Sequence, residues 1–137
     1  MQSKIEPLLR AAFLAALPGA VNNTAFENQL FVSAGKEKWY IFSFLPNRPE
    51  VATLGSGGTD QISGLVQVDI NIIAGKGKKG VDEDIDALRS VFTAGARFVN
   101  VPVNVICKSC GRNGTGRKVD GFYRFTVTIE WETRIPR

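Results

Sequence analysis

Gln61-Ile62-Ser63-Gly64-Leu65-Val66-Gln67-Val68-Asp69-Ile70-Asn71-Ile72-Ile73 is the stretch whose reading decides the fold. Ile62, Gly64, Val66, Val68, Ile70 and Ile72 share one parity, and Gln61, Ser63, Gln67, Asp69 and Asn71 share the other. Successive side chains of a strand point to opposite faces, so the pattern predicts a long strand with one apolar face and one wet face. Leu65 and Ile73 interrupt the polar set, so the second face is expected to be partly covered. A glycine-rich turn, Leu54-Gly55-Ser56-Gly57-Gly58, precedes this strand. A basic turn, Ala74-Gly75-Lys76-Gly77-Lys78-Lys79-Gly80, follows it, and an amphipathic helix comes next.

Outward from that centre, Ile5, Leu8, Leu9, Ala12, Phe13 and Ala16 repeat with helical period and form one apolar face. Ser3 and Glu6 have capping-box spacing, while Pro7 equally suits the first helical position after Glu6. Pro18-Gly19 ends this helix. A short extended segment is expected at 25–32. The aromatic and β-branched run 39–45 reads as a strand buried on both faces. Residues 47–58 have no periodicity and are expected to form a long excursion. After the central strand, Val81, Ile85, Leu88 and Phe92 mark a second helix, with Asp82, Glu83, Asp84 and Asp86 near its positive end. Val99, Val101, Val103 and Val105 alternate as one strand, with Pro102 at an edge or bulge. A polar loop is expected at 107–121. Tyr123, Phe125, Val127, Ile129 and Trp131 then give a closing, half-buried strand. The expected architecture is a single α+β domain over residues 1–137, with the order α-β-β-β-α-β-β. Its mostly antiparallel sheet has about five strands, packed by two helices.

The totals narrow the function. A chain of 137 residues, 44% hydrophobic and 22% charged, is sized for one soluble core. Its net charge of +4 permits an acidic partner without demanding one. Histidine is absent, which removes the commonest general base and the commonest transition-metal ligand. No enzyme is expected. No apolar run approaches the ~20 residues that cross a bilayer. The periodic N-terminal helix, interrupted by Glu6, Pro7 and Arg10, argues against a secretory leader.

Each chemical motif has a plainer reading beside it. The turn Gly75–Gly80 lacks the hydroxyl residue that a P-loop places on magnesium, and acidic residues follow where phosphate would sit, so no nucleotide site is expected. Asp82 and Asp86 share a helix face, but two carboxylates without a loop make a poor calcium site. Cys107 and Cys110 form one C-x-x-C pair. Tetrahedral zinc needs further thiol or imidazole ligands that the chain lacks. The pair reads as structural or incidental and dispensable for folding; zinc shared between chains and redox activity are the alternatives. No cofactor is expected. Lys36, Lys38, Lys76, Lys78, Lys79, Lys108, Arg112, Arg117 and Lys118 sit mainly in loops and read as solvated tips. A small nucleic-acid-binding module using these loops and the cysteine pair is the alternative function.

In order and spacing, several motifs resemble the tail terminator proteins of long-tailed phages and prophages. They are the N-terminal helix, Phe26-Glu27-Asn28 with Phe31, the run 39–45, and Glu50-Val51-Ala52-Thr53-Leu54-Gly55. The central strand with Gln67 and Asp69, the Ala74-Gly75-Lys76-Gly77 turn and the closing strand complete the set. The stretch 107–117 is not part of that pattern. The resemblance implies a structural virion protein that caps the head-proximal end of the tail tube as a hexameric ring. Such a protein ends tube polymerisation and offers a surface for joining to the head. Its partners would be copies of itself, the tail-tube protein and the head-completion protein, with no membrane and no specific nucleic acid. It would be assembled in the bacterial host cytoplasm and reside in the virion tail. The glycine-bearing, aperiodic flanks of the central strand are the expected contacts with neighbouring subunits or the tube. They supply Arg48, Glu50, Leu54, Gly55, Ser56, Gly57 and Gly58 on one side and Lys76, Lys78 and Lys79 on the other.

Overall fold

A computed structural model describes residues 2–75, 77 and 79–136. A short 3-10 turn leads into α1 (Ile5–Ala16), which ends before Pro18. Then come β1 (Thr24–Phe26), β2 (Lys38–Pro46), β3 (Glu50–Val51) and β4 (Thr59–Ile73). After α2 (Lys79–Val91) follow β5 (Arg97–Asn100), β6 (Val103–Arg112), β7 (Arg117–Val119) and β8 (Phe122–Pro136). One sheet of eight strands runs β1-β2-β4-β8-β6-β5, with β3 added to β4 and β7 to β8. The fold is α+β and mostly antiparallel, as expected, but the sheet has eight strands instead of about five, and the order α-β-β-β-α-β-β is too short.

The central strand behaves as its parity dictates. β4 pairs along its whole length with β8, from Thr59 opposite Pro136 to Ile73 opposite Phe122. Ile62, Val66, Val68 and Ile70 are fully buried with Val127, Ile129 and Trp131 of β8. Onto this face pack Ile5, Leu9 and Phe13 of α1 and Val81, Ile85 and Leu88 of α2, followed by Phe92. Both helices are therefore amphipathic for one reason: they cover the same apolar parity. The other face of β4 carries Gln61, Ser63 and Gln67 half-buried, but Asp69 and Asn71 are buried. Thr126 donates to Asp69 Oδ1 at 2.6 Å, and Arg124 Nε donates to Asn71 Oδ1 at 2.8 Å. An aromatic cluster of Phe31, Trp39 and Phe122 occupies this end of the face, with ring centroids 5.3 and 5.7 Å apart.

Four expectations need correction. β2 is buried on one face only: Tyr40 and Phe42 are in the core, whereas Leu45 is exposed. It holds so many apolar residues because its two faces serve the core and the aromatic cluster separately. The segment 25–32 is extended only over β1, which pairs parallel to β2. The expected single valine strand is a hairpin, because the chain turns at Val101-Pro102 and pairs Asn100 with Val103. A two-residue turn reverses parity, so Val103 and Val105 are buried while Val99 faces outward. The expected loop 107–121 is mostly strand: β6 continues through Cys107 and Cys110 with a bulge between Cys107 and Ser109, and β7 follows.

Gly64 has a role that parity alone does not show. A Cβ there would lie 2.6 Å from the Leu45 carbonyl oxygen and 2.8 Å from both Pro46 Cα and Trp131 Cζ2. The missing side chain lets the Trp131 indole cross β4 and stack on Phe44, with centroids 5.3 Å apart and planes at 9°. Two of the three obstructing atoms are backbone, so no rotamer change relieves the clash. Gly64→Ala is expected to lower stability by about 1–3 kcal/mol, read as an earlier urea midpoint with an unchanged slope.

Candidate functional site

Where β2 ends, the chain continues as an extension of the sheet. Asn47 N–H donates to Ser63 O at 2.8 Å, and β3 then pairs Glu50 with Gln61 and Val51 with Asp60. On the far side of β4, Gln61 and Asp60 also pair with Arg134 and Ile135 of β8. The supposed excursion 47–58 is thus an ordered outer edge, short because Pro46 and Pro49 each lack a donor. Its tip is closed by the Ala52 and Thr53 amides donating to Thr59 O at 3.0 and 3.1 Å, and by Thr59 N–H donating to Thr53 Oγ1 at 2.7 Å. Gly58 N–H donates to Gly55 O at 3.1 Å. Gly55 itself has φ +95°, which excludes most other residues. At the apex Leu54 is 90% exposed, and Val51 beside it is also exposed.

Arg48, Glu50, Leu54, Gly55, Ser56 and Gly57 all lie exposed on this extension, and Gly58 is buried in its closure. Lys76 and Lys78 lie outside the described residues, as does the side chain of Lys79, which begins α2. The turn that carries them follows the end of β4 remote from the extension.

The acidic start of α2 is engaged within the chain. Asp84 accepts from the buried Tyr40 hydroxyl at 2.7 Å and pairs with Lys38 Nζ at 3.0 Å. Burial, and then the Asp84 carboxylate, push the Tyr40 phenol well above its ordinary value. Asp82 pairs with Arg112 at 3.8 Å, while Arg112 also lies 4.8 Å over the Phe125 ring and donates to Gly114 O at 2.9 Å. Several cations of the nucleic-acid alternative are thereby engaged, because Lys36 likewise donates to Asn23 Oδ1 at 2.7 Å.

Both cysteines face the core side of β6, Cys107 opposite Trp131 and Cys110 opposite Ile129. Cys107 is buried and donates to Phe92 O at 3.2 Å, so it is a packing residue and not an incidental one. Burial raises its thiol, against a lowering hydrogen bond from the Ser109 backbone. Burial and then the neighbouring Cys107 push Cys110 up to about 11, with Arg89 opposing. Thiols held that high stay protonated near neutrality and are poor nucleophiles and ligands. Among the described residues no group of three or more His, Cys, Asp or Glu is placed to hold a metal ion.

The sequence reading missed two further surfaces. Leu30 and Val32 are exposed on the crossover between β1 and β2, and Val99 and Val101 are exposed on the β5–β6 hairpin. Leu30 and Val32 lie in a segment without period, and Val99 and Val101 share the alternation of the buried Val103 and Val105, so only the fold distinguishes them from core.

The sheet is covered on one face and displays apolar side chains at its edges and on an extended hairpin. The chain belongs to the family described as phage tail terminator protein, which matches residues 4–131. This is a structural family, and membership makes the protein a tail component of the virion. No curated protein matches the chain. A solved structure whose title names no function shares the fold, with a TM-score of 0.68 at 17% identity over 93% of this chain and 94% of the other. No helix among the described residues is long and apolar enough to cross a membrane.

Two measurements check the cysteine and tyrosine environments. Cys107→Ser places a hydroxyl in an apolar core and is expected to cost about 1–3 kcal/mol, whereas Cys110→Ser changes the urea midpoint much less. The folded chain retains the Cys110 proton above the ordinary thiol value of 9.0 and the Tyr40 proton above 10.0. That stabilisation is present in full below those values and is lost as pH rises through the folded ones. Stability is therefore expected to fall as pH rises above 9, and Cys110→Ala should flatten the fall between 9 and 11.

Proposed function

We propose that the protein caps the head-proximal end of the phage tail tube as a hexameric ring, stops tube polymerisation and presents a surface to the head-completion protein. Assembly takes place in the host cytoplasm, and the ring remains in the virion tail. The observation that carries this reading is the hydrogen-bonded tip at Thr53–Gly58, which holds an exposed leucine on a preformed backbone. A rigid tip loses little conformational freedom on docking. Burying one leucine contributes about 2 kcal/mol, a weak contact singly that gains strongly when a ring presents many copies to one tube end. Arg48 and Glu50 flank the apolar apex and would fix its orientation against the tube. The basic turn with Lys76, Lys78 and Lys79 follows the opposite end of β4 and supplies a separate contact with a neighbouring subunit or the head side.

Leu54→Asp is solvent-exposed and should fold with the circular dichroism spectrum of the native chain. Mixed with polymerising tail-tube protein, the native chain is expected to shorten tubes in negative-stain images, and Leu54→Asp to leave them long. Changing Lys76, Lys78 and Lys79 to Glu is expected to impair ring formation while leaving the fold intact. If the native chain leaves tube length unchanged, the capping role is wrong. If the folded Leu54→Asp variant caps as well as the native chain, the tip is not the tube contact.

A further inference from the structure

We propose that copies of this protein join head to tail through two apolar patches at opposite edges of the sheet. One patch is Leu30 with Val32, on the crossover beside β1; the other is Val99 with Val101, on the β5–β6 hairpin. The inference rests on the ring reading above and assigns it an interface.

β1 and β5 are the two ends of the sheet path, so the patches belong to different edges of the sheet. Leu30 has no measurable shielding at 104% exposure, and Val101 is 77% exposed. Both lie on backbone tied to the rest of the fold. Phe31, between Leu30 and Val32, packs on Trp39, and Lys4 Nζ donates to Val101 O at 3.1 Å. Two different patches on one protomer are what a head-to-tail contact needs, whereas a two-fold contact needs one patch meeting itself.

Charge selects between these arrangements. The first patch is flanked by exposed Glu27 and Glu37, and the nearby Lys36 is turned into Asn23. The second is flanked by Lys4, whose Nζ donates to Val101 O, and by Arg97, which shares a cavity with Glu132 of β8; residues 91–107 themselves contain no acid. Each patch meeting its own copy would set like charges together, while the first meeting the second sets acid against base. Edge-to-edge strand pairing does not compete on the β2 side. Tyr40 N–H donates outward to Asn23 O, and alternation turns Phe42, Phe44 and Pro46 the same way, so the open end of that edge carries a proline without a donor. The contact is therefore one of side chains.

The test is disulfide trapping between full-length chains in a Cys110→Ala background, which leaves only the buried Cys107. Leu30→Cys and Val101→Cys chains are checked for folding by circular dichroism, mixed, and treated with copper-phenanthroline. The expected result is a covalent dimer joining the two variants, at a yield about tenfold above either variant alone, and its loss on adding Arg97→Glu to the Val101→Cys chain. A chain carrying both cysteines should give a ladder of higher species. Equal trapping in either variant alone would replace the head-to-tail contact with a two-fold one. No trapping above the Cys110→Ala background would remove the interface. The tube-length assay separates the two readings. Capping without trapping ends the edge assignment and leaves the terminator role; trapping without capping does the reverse.

Discussion

The pairing of β4 with β8 is the constraint from which the remaining structure follows. Two strands of 15 residues each, in unbroken antiparallel register, set one parity for the helices and the other for an open face. A slip of one residue would turn Ile62, Val66, Val68 and Ile70 out of the core together. The register is locked at one point by shape. Trp131 fits across β4 only where Gly64 leaves room, and there it reaches Phe44 on the next strand but one. Stacking on Phe44 joins β2, β4 and β8 beneath the extension, so the exposed tip stands on a rigid base.

Covering one sheet face with both helices has a consequence for assembly. On the open face Asp69 and Asn71 are paired with Thr126 and Arg124. Exposed large apolar side chains collect instead at the β1 crossover, at the β5–β6 hairpin and along the extension, with Ile73 and Val21 apart from these groups. Apolar groups are thus gathered at edges and ends of the protomer.

Charged residues tie both helices to the sheet. Asp84 ties α2 to Tyr40 and Lys38 of β2, and Asp82 with Arg112 ties α2 to the end of β6. Arg10 lies 3.6 Å over the Phe26 ring and so connects α1 to β1. These contacts join the helices to the sheet at positions where apolar packing thins out.

Much of this was legible in the sequence because period alone encodes it. Alternation at 61–73 and 123–131, and helical spacing at Ile5–Phe13 and Val81–Phe92, determined which residues are buried. The order of the motifs determined the family, and the glycine cluster before β4 marked the exposed tip through Leu54. Tertiary structure decided what period cannot express. The valine alternation at 99–105 is identical for one strand and for a hairpin, and only pairing between Asn100 and Val103 shows that Val99 points outward. Cys107 and Cys110 looked like a loop motif because a bulge breaks their parity, yet both face the core. Gly64 shows only its parity in the sequence, and its role as the gap under Trp131 needs the fold. Leu30 and Val32 are apolar residues without period, and whether such residues are core or surface depends on what the rest of the chain brings over them. In this fold they are left uncovered.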